Sequence, residues 1–149
     1  SMKIVHRDIK ADNILMNGRN VPVITDFGLA AMCTGDDIID SSGTFPFMPS
    51  ESLKPTGRRS DATKVDVYAF GMVIIEMLSG RLPYESLIRD GMNTDEWNDE
   101  IRKRVLSGVF PDIDNRWNCD TVKLMKSCWA IKSTDRPSME NVVADLRSR

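Results

Sequence analysis

Residues 6–13 have the sequence H-R-D-I-K-A-D-N, and D-F-G follows at residues 26–28. Four polar side chains of these two stretches could act together, namely Asp8, Lys10, Asn13 and Asp26. Carboxylate and amide oxygens are the hard ligands that Mg²⁺ prefers, and this ion usually binds through few protein groups together with substrate phosphates. A carboxylate beside the metal could accept a proton from a hydroxyl, and a lysine could neutralise phosphoryl charge. The sequence therefore predicts that two carboxylates, an amide and an ammonium group converge on one point.

The segments that follow predict one strand pair and one long loop. Short apolar runs at residues 14–16 and 21–24 flank Asn17-Gly18-Arg19-Asn20, which is typical of two strands joined by a turn. Pro22 favours an edge position or a strand start. Residues 30–63 have few periodic apolar positions and much Gly, Ser, Thr, Asp and Pro. A connection of this length in a compact domain favours a functional loop.

The remainder of the chain predicts helices. Residues 65–78 are apolar on nearly every side and end at Ser79-Gly80, which is typical of a helix in the centre of a core. Amphipathic surface helices are expected at residues 95–107, with Thr94 as N-cap, and at 120–131. A last helix should begin near Ser138. The prediction is a small strand pair followed by four or five helices.

Composition gives no support to several functional classes. The 149 residues carry 20 basic and 22 acidic side chains, a net charge of −2, so no global field favours nucleic acid. Cys33, Cys119 and Cys128 are widely spaced and His6 is the only histidine, too few for a Cys/His zinc site. An odd number of cysteines argues against a secreted disulfide framework. Reduced thiols in the cytoplasm, or alternatively in the nucleus, are therefore expected. No apolar run approaches the roughly 18 residues needed to span a bilayer, so no membrane segment is expected.

The two opening stretches together resemble the signatures of the eukaryotic protein kinases. The octapeptide is similar to the catalytic loop of that family, and D-F-G is similar to its metal-binding motif. By this resemblance, Asp8 is expected to be the catalytic base and Lys10 the contact to the γ-phosphate. Asn13 and Asp26 are expected to hold Mg²⁺. The resemblance implies that ATP and Mg²⁺ are cofactors and that a protein hydroxyl accepts the γ-phosphoryl group.

A further match concerns the segment that receives the substrate residue in this family. G-T-F at residues 43–45 resembles it, and Thr44 is then expected to bridge Asp8 and Lys10 as part of the catalytic group.

Two more matches concern structural residues. M-P-S-E at residues 48–51 stands where the family has A-P-E, so its proline comes one place early, while Glu51 is kept and is expected to pair with Arg136. D-V-Y-A-F-G at residues 66–71 resembles the start of the family's central helix, where Asp66 would anchor the catalytic-loop backbone.

The class of hydroxyl acceptor follows from Lys10, because serine/threonine kinases carry lysine two residues after the catalytic aspartate. Thr44 supports the same class. Phe45, residues 68–71 and Cys128-Trp129 most resemble the tyrosine-kinase-like (TKL) group of serine/threonine kinases.

The remaining residues of the two motifs are expected to have structural or regulatory roles. His6 should pack beneath Phe27, next to Gly28 of D-F-G. Arg7 lies beside Asp8 and before a hydroxyl-rich loop, which suggests a pocket for a phosphorylated loop residue. The candidate phosphorylation sites are Thr34, Ser41 and Ser42.

The resemblance implies a mainly α fold for residues 1–149, namely the C-terminal lobe of a kinase from catalytic loop to last helix. A central buried helix, about four others and a short β-hairpin are expected. The family's glycine-rich loop, its strand lysine and the helix before the catalytic loop have no counterpart in these residues. The chain alone is therefore expected to lack kinase activity and to cover an exposed core face by self-association or with a partner. The alternative function is a non-catalytic, kinase-like interaction module.

Overall fold

Five α-helices and three small antiparallel sheets form the structure, a computed structural model that describes residues 3–33, 37–54 and 59–149. The helices are α1 Ser50–Leu53, α2 Thr63–Ser79, α3 Thr94–Leu106, α4 Cys119–Cys128 and α5 Met139–Arg147. The strands are β1 Lys3–Val5, β2 Ile14–Met16, β3 Pro22–Ile24, β4 Ala31–Cys33, β5 Asp37–Ile38 and β6 Arg59–Ser60. The predicted mainly helical fold with a small hairpin is confirmed at this level.

The predicted hairpin is formed by β2 and β3, which pair antiparallel. The paired residues are Ile14 with Ile24, Leu15 with Val23, and Met16 with Pro22. The Asn17 side chain closes the turn, since its oxygen accepts hydrogen bonds from the amides of Arg19 at 2.9 Å and Val21 at 3.1 Å. At the open end, the Thr25 amide donates to the Asn13 carbonyl at 2.8 Å. The hairpin therefore joins the end of the octapeptide to the start of D-F-G.

The sequence did not predict the other two strand pairs. β1 pairs with β4, and β5 pairs with β6. These strands have only two or three residues each, too few to show the alternating pattern of a strand. The structure thus corrects the prediction of one strand pair, and three of these strands lie within residues 30–63.

Helix α2 is the centre of the core, as predicted. It begins two residues before the predicted start and ends one residue after the predicted end. Its fully or nearly fully buried side chains are Val67, Tyr68, Met72, Val73 and Ile75. Full burial of one such side chain contributes about 1.5–3 kcal/mol. The helix ends at Gly80, whose φ of +67° is a left-handed conformation that glycine adopts without strain.

The N-cap predicted for α3 was wrong by one residue. The cap is Asn93 rather than Thr94, and its side chain accepts a hydrogen bond from the Glu96 amide at 3.0 Å. The Glu96 carboxylate accepts in return from the Asn93 amide at 3.0 Å. This reciprocal capping box satisfies two backbone donors, and Thr94 has no glutamate in the corresponding position.

The two later helices were predicted with unequal accuracy. Helix α4 ends at Cys128, three residues before the predicted end, and Trp129 is its C-cap. Helix α5 begins after Ser138 as predicted, and the Ser138 hydroxyl accepts from the Asn141 amide at 3.2 Å.

One face beside α2 carries three exposed apolar side chains, Ile4, Ile24 and Phe27. They line a cleft of about 730 Å³ that reaches Phe70 of α2. A smaller cleft, of about 390 Å³, lies next to Lys10. Among the described residues, no helix has both the length and the apolar character needed to cross a bilayer.

We predict that Gly71→Ala destabilises the fold. Alanine favours a helix by about 1 kcal/mol over glycine, so the variant would be more stable if the methyl group had room. A Cβ at this position would lie only 2.6 Å from the Trp129 indole nitrogen and 2.9 Å from the Cys128 Cβ. Both neighbours are buried, so we expect a net loss of about 1–3 kcal/mol in unfolding free energy, measured by urea denaturation.

Gly18→Ala is the matched control, because nothing lies within 4 Å of a Cβ at that position. An unchanged or raised denaturation midpoint for Gly71→Ala would contradict the packing argument.

Candidate active site

The octapeptide is held on the central helix by one carboxylate. Asp66, in the first turn of α2, accepts a hydrogen bond from the His6 amide at 2.7 Å and another from the Arg7 amide at 2.8 Å. Burial raises the pKa of Asp66 above its usual value, although these hydrogen bonds act in the opposite direction. The anchoring contact that the sequence predicted is therefore present.

Arg7 has a backbone conformation that needs such an anchor. Its φ is +68°, in the left-handed region that costs a residue with a side chain about 1–2 kcal/mol. The hydrogen bond from its amide to Asp66 is made in this conformation. Asp66 therefore helps to maintain the turn that precedes Asp8.

His6 connects the octapeptide to D-F-G. It is buried, its Nε2 donates to the Thr25 carbonyl at 2.9 Å, and its ring meets the Phe27 ring edge-on at 4.9 Å. Its Nδ1 accepts from the Asp8 amide at 3.3 Å. A carbonyl can only accept and an amide N–H can only donate, so these contacts select the tautomer with the proton on Nε2. The packing expected for His6 and Phe27 is present.

Three polar residues meet at the Asp8 carboxylate. The Thr44 hydroxyl donates to its Oδ1 at 2.6 Å, and the Lys10 ammonium lies 3.1 Å from its Oδ2. Lys10 also donates to the Thr44 hydroxyl at 2.9 Å, so Thr44 bridges Asp8 and Lys10 as expected. The Asn13 amide nitrogen donates to the Asp8 carbonyl at 2.8 Å and to its Oδ2 at 3.1 Å.

This network alters the acidity of Asp8. Partial burial would raise its pKa, but hydrogen bonds from Thr44, Lys10 and Asn13 and the positive charge of Lys10 outweigh that effect. The pKa of Asp8 lies below its usual value as a result. The side chain is therefore a carboxylate at neutral pH, fixed in direction and able to accept a hydrogen bond from a further donor.

Asp26 and Asn13 lie at the same end of the hairpin. Asp26 follows β3 with a left-handed φ of +60°, and its Oδ1 accepts from the Gly28 amide at 3.3 Å. A Cβ on Gly28 would lie 3.2 Å from that same oxygen, so glycine leaves room for the carboxylate. One carboxylate and one amide oxygen form a donor set that suits Mg²⁺. Within the described ranges, no group of three or more His, Cys, Asp or Glu residues could hold a metal.

Glu51 and Arg136 form the expected ion pair, despite the early proline. The guanidinium contacts both carboxylate oxygens, with Nη1 2.6 Å from Oε1 and Nη2 3.0 Å from Oε2. The Arg136 side chain is fully buried and lies 5.1 Å from the centre of the Tyr68 ring. The pair thereby joins α1 to the connection between α4 and α5, and the contact with Tyr68 extends this link to α2. Pro49 is the N-cap of α1.

The Arg7 side chain has a partner that the sequence did not suggest. Its Nη1 lies 2.7 Å from Asp40 Oδ2, and its Nε donates to the Leu29 carbonyl. Ser41 and Ser42 follow Asp40 in the chain, whereas Thr34 lies outside the described residues. In the sequence, this contact is indicated only by an acidic residue, Asp40, directly before the hydroxyl residues Ser41 and Ser42.

A cleft next to Lys10 and Thr44 contains further residues that the sequence did not single out. Its lining includes Asp12, Phe45, Glu76, Leu82 and Trp97. Burial raises the pKa of Glu76, and the nearby charge of Asp12 adds to that effect, while a hydrogen bond from Ala11 opposes it. Two carboxyl groups and several apolar side chains thus lie beside the Asp8 network.

The chain is similar in sequence to known proteins of one family. A family model described as protein kinase domain matches residues 1–146. The LRR receptor-like serine/threonine-protein kinase FEI 2 of Arabidopsis thaliana is 32% identical over 99% of the chain, which spans 26% of that protein. A putative serine/threonine-protein kinase/receptor of Acanthamoeba polyphaga mimivirus, R818, is 34% identical over 96% of the chain, which spans 8% of it. The chain thus covers a minor part of these relatives.

We predict that Thr44→Val raises the pKa of Asp8. Valine keeps the shape of threonine but removes the hydroxyl that donates to Asp8 and accepts from Lys10. Titration of the Asp8 carboxyl carbon by NMR should show the increase. A carboxyl group with a lowered folded-state pKa contributes stability above its unfolded pKa, and this contribution is lost as the pH falls through the folded-state pKa. The stability difference between variant and wild type should therefore be largest near neutral pH and shrink in acid.

Thr134→Val is the control, because the Thr134 hydroxyl contacts Asp135 in an exposed turn. An Asp8 titration that is identical in Thr44→Val and Thr134→Val would show that the bridge does not set the acidity of Asp8.

Proposed function

The chain belongs to the protein kinase domain family, and we propose that it forms the C-terminal lobe of a serine/threonine kinase of the TKL group. The observation that carries this proposal is the convergence of Thr44, Lys10 and Asn13 on the Asp8 carboxylate. The complete protein would transfer the γ-phosphoryl group of ATP to a serine or threonine hydroxyl of a protein substrate.

Asp8 is proposed as the group that receives the acceptor hydroxyl. Its oriented carboxylate accepts the hydrogen bond from that hydroxyl and directs the oxygen towards the γ-phosphorus. The new P–O bond forms as the bond to the leaving oxygen of ADP breaks, and the hydroxyl proton passes to Asp8. Lys10, 3.1 Å from Asp8, places a positive charge where the phosphoryl group moves.

Asn13 and Asp26 are proposed as the protein ligands of Mg²⁺. The ion, when bound, would neutralise charge on the phosphate oxygens. The Asn13 amide nitrogen donates to Asp8, so the amide oxygen of Asn13 is left to bind the ion. Asp26 is oriented by its left-handed backbone and by the Gly28 amide. These contacts support the fit of the donor set.

A serine or threonine acceptor is supported by Lys10 and Thr44. The two side chains are hydrogen bonded to each other at 2.9 Å and occupy one side of the Asp8 carboxylate. Several similar proteins, among them FEI 2, are named serine/threonine-protein kinases. The proposed location of the protein is the cytoplasm or, alternatively, the nucleus.

The exposed apolar face supports a second proposal, namely that the isolated chain associates with itself or with a partner. Apolar patches larger than a few hundred Å² commonly mark interaction sites. Phe27, at 57% exposure, and Ile4, at 66%, belong to this face. A non-catalytic interaction role for a chain of these 149 residues would use the same surface.

We predict concentration-dependent association of the purified 149-residue chain, measured by multi-angle light scattering. Replacement of Ile4 and Phe27 by serine should shift the chain towards monomer, because both side chains are largely exposed on the apolar face. The control replaces Met77 and Ile131, which are also exposed but lie on other elements. A wild-type chain that stays monomeric at high concentration would contradict association with itself.

We predict that Asp8→Asn in the complete protein lowers kcat by about 10²–10⁴-fold, because the amide cannot accept the hydroxyl proton. Phosphate transfer from ATP to dephosphorylated casein measures the effect, and analysis of the product should find phosphoserine or phosphothreonine. Asp90→Asn, in an exposed turn, is the control and should keep full activity. The 149-residue chain should show none.

Equal activity of Asp8→Asn and Asp90→Asn would contradict the role of Asp8. Phosphotyrosine as the main product would contradict the acceptor class.

A further inference from the structure

The Arg7 guanidinium is occupied by groups of the segment that follows D-F-G. Its Nη1 lies 2.7 Å from Asp40 Oδ2, and its Nε donates to the Leu29 carbonyl. The Arg7 side chain is 26% exposed and that of Asp40 is 52% exposed. The contact therefore lies at the surface, where an added phosphoryl group could also reach it.

Arg7 provides a fixed attachment point for this segment. Its backbone is held in the left-handed region, and its amide donates to Asp66 at 2.8 Å. Asp8, the next residue, carries the carboxylate of the candidate site. A group that binds the Arg7 side chain is thus connected through one residue to the catalytic carboxylate.

Asp40 is itself fixed on its other side. Its Oδ1 accepts a hydrogen bond from the Ser42 amide at 3.0 Å. Partial burial would raise the pKa of Asp40, but the hydrogen bonds from Ser42 and the charge and hydrogen bond of Arg7 lower it further than burial raises it. Asp40 is therefore a carboxylate at neutral pH. One of its oxygens contacts Arg7, and the other accepts from the Ser42 amide, two residues before Thr44.

The step from Asp40 to Thr44 is short and tightly packed. Gly43, between Ser42 and Thr44, has a φ of +126°, and a Cβ there would lie 2.7 Å from the Arg7 carbonyl oxygen. Backbone at this point therefore passes directly over Arg7. Thr44 then donates to Asp8 at 2.6 Å. Residues 40–44 thus contact residues 7 and 8 at both ends.

We propose that Asp40 is a positioning residue whose carboxylate takes the place at Arg7 that a phosphorylated loop residue would otherwise take. It orders residues 40–44, and thereby Thr44, without phosphate on Ser41 or Ser42. A phosphoryl group carries a charge of about −1.5 to −2, whereas Asp40 supplies one negative charge permanently. This inference rests on the proposed kinase function for its effect on activity, but the contact itself can be tested without activity.

The test compares Asp40→Asn with Asp40→Glu in the full-length protein after phosphatase treatment. The control is Asp114→Asn, which removes a partly exposed carboxylate that pairs with Arg116 beside a different cleft. The first measurement is hydrogen exchange, in the absence of ATP, at the amides of Ser42 and of Phe47, which donates to the Thr44 carbonyl at 2.9 Å. The second is kcat and KM for ATP and for dephosphorylated casein.

We expect faster exchange at both amides in Asp40→Asn, largely restored protection in Asp40→Glu, and no change in Asp114→Asn. Because partly exposed ion pairs are weak, kcat of Asp40→Asn should fall by only about twofold to fivefold. The KM for ATP should stay the same, whereas a general loss of folding would change all three parameters. The phosphatase-treated wild type should keep its activity.

Two results would overturn the proposal. One is unchanged exchange at Ser42 and Phe47 in Asp40→Asn. The other is loss of wild-type activity on phosphatase treatment, recovered by phosphate on Ser41 or Ser42, which would assign the Arg7 site to phosphate. If no form transfers phosphate, the proposed function fails, while the exchange measurement still decides whether Asp40 orders the segment.

Discussion

The two hydrogen bonds that the Asp66 carboxylate accepts determine where the candidate site lies. Asp66 belongs to the helix with the most buried side chains, so its position is set by the core. Through the amides of His6 and Arg7 it transfers that position to the octapeptide. Burial raises the pKa of Asp66, because desolvation disfavours the charged carboxylate. The two donated hydrogen bonds offset part of that cost, and loss of either would leave a partly buried carboxylate with one partner fewer.

From this anchor, single contacts join segments that are far apart in sequence. His6 reaches Thr25 and Phe27, 19 and 21 residues away, and Asp8 reaches Thr44, 36 residues away. The left-handed backbone conformations of Arg7 and Asp26 destabilise this arrangement by about 1–2 kcal/mol at each position. Such strain is found where surrounding structure fixes the residue and where the geometry serves a function. Both residues lie next to the polar groups that would handle phosphate and metal.

Much of this arrangement is local and could be predicted, while the errors have definite physical causes. Helix α2 follows from a long apolar run that ends at Ser79-Gly80, and the β2–β3 hairpin follows from two short apolar runs on either side of turn residues. The N-cap of α3 was also decidable, since Asn93 has a glutamate three residues later and Thr94 has a tryptophan. The β1–β4 and β5–β6 pairs were not, because strands of two or three residues carry no periodic signal and their partners are distant. The contact between Asp40 and Arg7 was not predicted, because the hydroxyl-rich loop suggested a phosphorylated residue, rather than a carboxylate, as the partner of Arg7.

The network around Asp8 also constrains the chemistry. The hydrogen bonds that orient its carboxylate lower its pKa, so Asp8 is a weaker base than an isolated aspartate. A general base works best when its pKa lies near the working pH, and Asp8 in its proposed role departs from that condition. Phosphoryl transfer tolerates this, because its loose transition state needs little nucleophilic push and depends mainly on alignment and charge neutralisation. In the proposed reaction, the hydroxyl proton would then move late, after most of the bond to the leaving oxygen has broken. Thr44, Lys10 and Asn13 would thus favour orientation of Asp8 over its basicity, which suits the proposed reaction.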